Sequence, residues 1–186
     1  MKEAGCIAVW FGVESGCQYV LQSMGKNFNL NQARRAFKWA KKVGLLTEAS
    51  AIFGFPGETK ESLMETVKFV EELDPILIGY YIATPYPGTP MFDFVKEKGW
   101  LRITDFNKYD TATPTFETPT LSMKELGELR NKAYQRFYVR PTYMIRTLWL
   151  GLAHGFSSEK GGIYGIASAR NAFARFLRAL GFRFSR

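Results

Sequence analysis

The sequence predicts an α/β chain built on parallel strands, and three observations carry that prediction. Apolar runs at residues 6–13, 49–53 and 76–83 have the length and composition of buried strands. Between them lie stretches whose apolar residues recur at three/four spacing, the mark of amphipathic helices. Each strand-to-strand step spans 30 to 40 residues, room for the crossover helix that parallel pairing demands.

The first strand, 6–13, is expected to be buried on both faces and ends in Glu14-Ser15-Gly16. A carboxylate at the carboxyl end of a strand is either solvated at a rim or holds a ligand's hydroxyl or amine; both readings stay open here. Residues 17–24 form a short helix, with Gly25 as its C-cap. Asn29 is placed to cap the next helix, 30–43, whose apolar face is Leu30, Ala33, Ala36, Phe37, Ala40 and Val43, with Arg34, Arg35, Lys38, Lys41 and Lys42 on its solvated face. Gly44 closes it.

The second strand, 49–53, breaks at Gly54-Phe55-Pro56-Gly57-Glu58-Thr59. Pro56 fixes its own φ and biases Phe55 towards extended backbone. Thr59 is a candidate N-cap for the helix at 60–73, with Ser62 competing. This turn is either a tight turn and nothing more, or a ligand loop at the strand's carboxyl end. The third strand, 76–83, runs into Thr84-Pro85-Tyr86-Pro87-Gly88-Thr89-Pro90, too rich in proline to be regular. A short helix at 91–98 stops at Gly99, and residues 100–120 read as loop with a short extended piece. Ser122 and Glu125 form a capping box for a helix reaching about Val139, where Pro141 ends or bends it. A further short helix is expected at 143–152, a glycine- and serine-rich link at 154–165, and a basic amphipathic helix at 163–181. The domain reading is 1–99, 100–153 and 154–186.

At 186 residues, 46% hydrophobic and 16% aromatic, the chain has material for one real core and is not a disordered chain. The formal charge of +8 is unevenly placed. Residues 1–93 hold nine basic and ten acidic groups, whereas residues 130–186 hold eleven basic groups against Glu159 alone. That asymmetry points to an anionic partner. The tail's phenylalanines gather on one face instead of interleaving with arginine, which speaks against nucleic acid; the helix in 163–186 either packs on the chain's own core or a missing domain, or lies on an anionic membrane surface. The expected location is the cytoplasm, peripheral to a membrane at most. Two cysteines, Cys6 and Cys17, make neither a disulfide framework nor a complete metal site, and the single histidine, His154, is expected at the surface.

Gly12-Val13-Glu14-Ser15-Gly16, Met24-Gly25-Lys26, Gly54-Phe55-Pro56-Gly57-Glu58, Thr84-Pro85-Tyr86-Pro87-Gly88-Thr89 and Phe137-Tyr138-Val139-Arg140-Pro141 occur in one order at characteristic intervals. Together, over residues 4–145, they resemble the second half of a radical S-adenosylmethionine (radical SAM) core of the subgroup with an upstream cobalamin-binding domain. The resemblance implies an open, six-stranded partial (β/α) barrel of TIM-like type, with strands four to six here, followed by an α-helical C-terminal extension. It implies that Glu14 and Ser15 face the ribose or methionine part of S-adenosylmethionine. It places Ile52, Gly54 and Pro56 beside the adenine, and Tyr81, Thr84 and Tyr86 on the substrate side.

The family holds its 4Fe-4S cluster on a Cys-x3-Cys-x2-Cys loop, and this sequence has none; Cys6 and Cys17 are separated by ten intervening residues. The resemblance therefore implies a fragment or split product. Its N-terminal half, the 4Fe-4S cluster and cobalamin belong to the full-length enzyme, and no catalytic or metal-ligating residue is expected in the isolated chain. Residues 1–5 resemble the end of the family's preceding helix. The expected activity of the whole is radical modification of a C–H bond, such as methylation, on a lipid or pigment substrate. A non-catalytic partner module and an RNA-modifying radical enzyme are the alternatives.

Overall fold

The computed structural model describes residues 1–146, in two compact units divided after Arg130. In the first unit the chain runs β1 (Ala8–Glu14), α1 (Gln18–Ser23), α2 (Leu30–Lys42), β2 (Leu46–Phe53), α3 (Lys60–Leu73), β3 (Leu77–Ile82) and α4 (Pro90–Glu97). α5 (Met123–Tyr138) crosses from one unit into the next. The mixed α/β architecture rests on one parallel sheet of order β1-β2-β3.

Register fixes two faces of that sheet. Phe11 pairs with Ala49 and Ala49 with Ile78; Ala51 pairs with Tyr80 and Phe53 with Ile82. This face is covered by α2 and α3: Phe11 meets Phe37 at 4.8 Å, and Leu63, Val67, Phe69, Val70 and Leu73 of α3 are buried. On the other face stand Trp10, Glu48 and Leu77 in one row, and Gly12, Ser50 and Gly79 in the next. β1 is thus buried on one face only, against the expectation of burial on both. Helices cover a single side, and Trp10 stays 62% exposed on the edge strand.

β2 starts at Leu46, three residues before the apolar run suggests. Thr47 and Glu48 look like loop residues by composition, yet the strand's strict alternation buries Thr47 and turns Glu48 to the other face. Residues 2–5 form a hydrogen-bonded turn instead of a helix end. Local chemistry explains the helix starts. Asn29 and Gln32 cap α2 reciprocally, and Thr59 and Ser62 do the same for α3, so Ser62 supports the cap it was expected to contest. Thr89 caps α4, with Pro90 in its first turn. Ser122 and Glu125 make the capping box at the start of α5.

Residues 100–120 are held by a bridge between Leu101 and Phe116 and a 3-10 turn at Phe106–Lys108. In the second unit Tyr134, Phe137, Tyr138 and Tyr143 stack together, and the helix after Pro141 covers residues 141–146. The link at 154–165, His154 and the amphipathic helix at 163–181 lie outside the described residues. Among the described residues, no helix is long and apolar enough to cross a membrane.

Candidate functional site

A cavity of about 360 Å³ opens at the carboxyl ends of the three strands, lined by Glu14, Lys26, Ile52, Phe55, Tyr81 and Thr84 among others. Its construction starts at the end of β1. A bulge between Gly12 and Glu14 breaks the register, and Glu14 takes a left-handed conformation at φ 60. The carboxylate thereby folds back over Gly12, where a Cβ would sit 2.8 Å from Oε1. Lys26, from the loop between α1 and α2, donates to that oxygen at 3.1 Å. Across the sheet, Tyr81 lays its ring over Gly79 in the same manner, 2.7 Å from where a Cβ would be. The row Gly12, Ser50, Gly79 is therefore a floor of small residues with a carboxylate at one side and a phenol ring at the other.

Five of the eight residues singled out in the sequence meet on this cavity: Glu14, Ile52, Tyr81, Thr84 and Tyr86. Ser15, Gly54 and Pro56 are not among its lining residues. Ser15 is fully buried behind it; its hydroxyl shares a hydrogen bond with Thr66 at 3.1 Å and accepts from Cys17 N–H. Thr66 also accepts from Gly16 N–H at 2.9 Å, so α3 is tied to the exit of β1. Gly54 carries a positive φ of 82 and packs under Leu126, leaving no room for a Cβ.

Glu58 organises the turn that follows β2. It is fully buried, and its Oε2 accepts from Gly54 N–H at 2.6 Å and Phe55 N–H at 3.1 Å. Among the described residues its Oε1 has no hydrogen-bond partner. Burial pushes the carboxyl up to about 7, against the pull of the two amide donors. Phe55, held by this carboxyl, forms part of the cavity wall.

Residue patterns alone single out neither Lys26 nor Thr111 as cavity residues. Lys26 was visible only as part of the Met-Gly-Lys motif. Thr111 arrives from the loop at 103–113, through a bond from Ile82 N–H to its carbonyl, and it has a positive φ of 56. A second hollow, about 570 Å³, lies by Lys60, Arg102, Glu117 and Glu125. Its charges pair with one another, Lys60 with Glu125 and Arg102 with Glu117. Among the described residues no cluster of three or more Cys, His, Asp or Glu side chains is arranged to hold a metal.

Comparison with known proteins adds to this geometry. Residues 1–70 match the family model of the radical SAM superfamily. The chain is 38% identical over 156 residues to an uncharacterized methyltransferase of Pyrococcus horikoshii, which covers 84% of this chain and 34% of that protein. It is 30% identical over 143 residues to the anaerobic magnesium-protoporphyrin IX monomethyl ester cyclase of Rubrivivax gelatinosus, 77% of this chain and 25% of that one. It is 30% identical over 157 residues to the bacteriochlorophyllide d C-8(2)-methyltransferase of Chlorobaculum tepidum, 80% and 34% respectively. The chain thus spans about a third or less of these relatives. In fold it resembles the radical S-adenosylmethionine methyltransferase TsrM of Kitasatospora setae, solved with cobalamin and a 4Fe-4S cluster. That likeness has a TM-score of 0.53 at 19% identity, over 96% of this chain and 41% of that one.

Proposed function

We propose that the chain carries a radical SAM superfamily segment of the cobalamin-associated kind, and that its cavity binds S-adenosylmethionine as part of a larger enzyme modifying a C–H bond, as in methylation. One observation carries this reading: the Glu14–Lys26 pair faces the apolar wall of Ile52 and Phe55 within one cavity at the strand ends. That donor set fits the cofactor. A carboxylate accepts from ribose hydroxyls, an ammonium pairs with the cofactor's carboxylate, and an apolar wall covers adenine. Ser15, Gly54 and Pro56 support the loops behind those contacts, whereas Tyr81, Thr84 and Tyr86 stand towards the substrate. When bound, S-adenosylmethionine supplies methyl and radical chemistry; the residues here bind it, orient it and keep water from its apolar side.

The 4Fe-4S cluster does not fit this chain. Three thiolates are needed, and Cys6 and Cys17 are the sequence's two cysteines, one before β1 and the other at the N-cap position of α1. We read β1, β2 and β3 as the fourth, fifth and sixth strands of a partial barrel. An N-terminal half, with cluster and cobalamin, pairs with the exposed edge of β1, and the domain division stays as read from the sequence. A lipid or pigment substrate and a membrane contact through residues 163–186 complete the proposal.

Calorimetric titration of the chain with S-adenosylhomocysteine tests it. Binding that weakens about tenfold in Glu14→Gln supports the reading. Binding indifferent to Glu14 and Lys26, or no binding at all, overturns it.

A further inference from the structure

Three aromatic rings continue the cavity outward. Tyr86 lines it and is 45% exposed; its ring lies 5.9 Å from that of Tyr109, which meets Phe106 edge-on at 5.1 Å. Phe106 is 56% exposed. The phenol hydroxyls are turned back into the protein: Tyr86 donates to the Tyr109 carbonyl and Tyr109 to the Ile103 carbonyl. What this rim offers outward is therefore ring surface.

The rim is held in place. Asp105 caps the turn that carries Phe106, accepting from Asn107 N–H at 3.1 Å. Beyond Tyr109, the Asp110 carboxylate accepts from Ala112 N–H and Thr113 N–H and from the Thr113 hydroxyl. Between those bonds Thr111 is kept in its left-handed conformation, with its carbonyl on Ile82 N–H. Such anchoring lowers the ordering cost of binding at this edge.

Size decides what the rim is for. A cavity of about 360 Å³ sits at the small end of the range of ligand sites, roughly 300–1,000 Å³. With a nucleoside-sized cofactor in it, a second reactant would lie across the mouth, towards Tyr86, Tyr109 and Phe106. Resting on the cofactor reading above, we propose that these three rings receive the substrate, and that the substrate presents a flat conjugated face instead of an acyl chain. Rings prefer offset or edge-to-face partners, and three rigid ring surfaces match a planar π-system better than a flexible aliphatic one. The Asp105–Lys108 pair, 3.9 Å apart, brings one charge of each sign to the same turn, so that pair adds no net field selecting an anionic ligand.

Fluorescence titration of the whole chain with protoporphyrin IX, and separately with oleate, tests this. The variants are Phe106→Ala, Phe106→Trp, and Trp39→Ala as an exposed aromatic elsewhere on the surface. The expected result is protoporphyrin IX affinity lowered about tenfold in Phe106→Ala, restored in Phe106→Trp and unchanged in Trp39→Ala. Equal affinities in Phe106→Ala and the parent chain, equal losses in Phe106→Ala and Trp39→Ala, or Phe106-dependent binding of oleate alone overturns it. S-adenosylhomocysteine titration of the same variants separates the two readings. Loss of Phe106 dependence with that binding intact removes the rim alone. Phe106-dependent porphyrin binding without S-adenosylhomocysteine binding removes the cofactor reading alone.

Discussion

Lys26 Nζ lies 3.1 Å from Glu14 Oε1, joining the loop after α1 to the bulged end of β1 inside the cavity. Lys26 is 41% exposed at its side chain, so the pair itself adds at most about 1 kcal/mol to stability. Lys26→Met is expected to leave the melting temperature nearly unchanged while weakening S-adenosylhomocysteine binding about tenfold. Calorimetry and thermal denaturation on the same preparation check the separation.

Glu58 gives the chain a pH dependence of defined sign. Its folded value is about 7 against 4.5 for the free side chain, so the fold favours the protonated form. Its contribution is fully present below about 4.5, is lost as pH rises towards 7, and levels off above. The change is on the order of 3 kcal/mol at full expression. Urea denaturation across pH 4–8 is expected to show this fall in the parent chain and a flattened profile in Glu58→Gln.

Gly16 touches α3 without clearance. A Cβ there would sit 2.7 Å from Thr66 Cα and 2.8 Å from the Glu65 carbonyl, both backbone atoms that cannot swing aside. Gly16→Ala is expected to cost about 1–3 kcal/mol, read as a lowered urea midpoint with an unchanged slope.

Gly79 tests the seat of the Tyr81 ring, which lines the cavity. A Cβ there meets the Tyr81 ring, a side chain that can turn away. Gly79→Ala is expected to lower S-adenosylhomocysteine affinity more than it lowers stability, because the ring gives way into the space the ligand needs. An unchanged affinity in calorimetry would mean that the Tyr81 ring stands clear of that ligand.

Trp10 stands exposed on an edge strand, a template for further pairing. Light scattering of the chain is expected to rise with concentration, and Trp10→Lys to suppress the rise. A scattering signal equal in both leaves the edge irrelevant to association.

Much of this was legible because it is written in local chemistry. Asn29, Thr59 and Ser122 announce helix starts, and the spacing of strands announces parallel pairing. The single buried face of β1 was not legible, since an apolar run looks alike whether helices cover one side or two. Nor was the start of β2, where Thr47 and Glu48 are strand residues only because of their neighbours in the sheet. At the site, Ser15 and Glu14 are adjacent in sequence yet face opposite ways, since the bulge reverses the chain between cavity and interior. Thr111 escaped because its place depends on a loop folding back over β3.

The tie between Ser15, Gly16 and Thr66 has a consequence for how such a chain can be diversified. One end of the cavity is bolted to a buried helix, so mutations there trade against solubility and yield. The opposite end is carried on a surface loop, at 103–113, anchored by the Asp105 and Asp110 side chains, so that exchange belongs to its other positions. A library confined to that loop changes what the protein accepts while its cofactor end stays as it is.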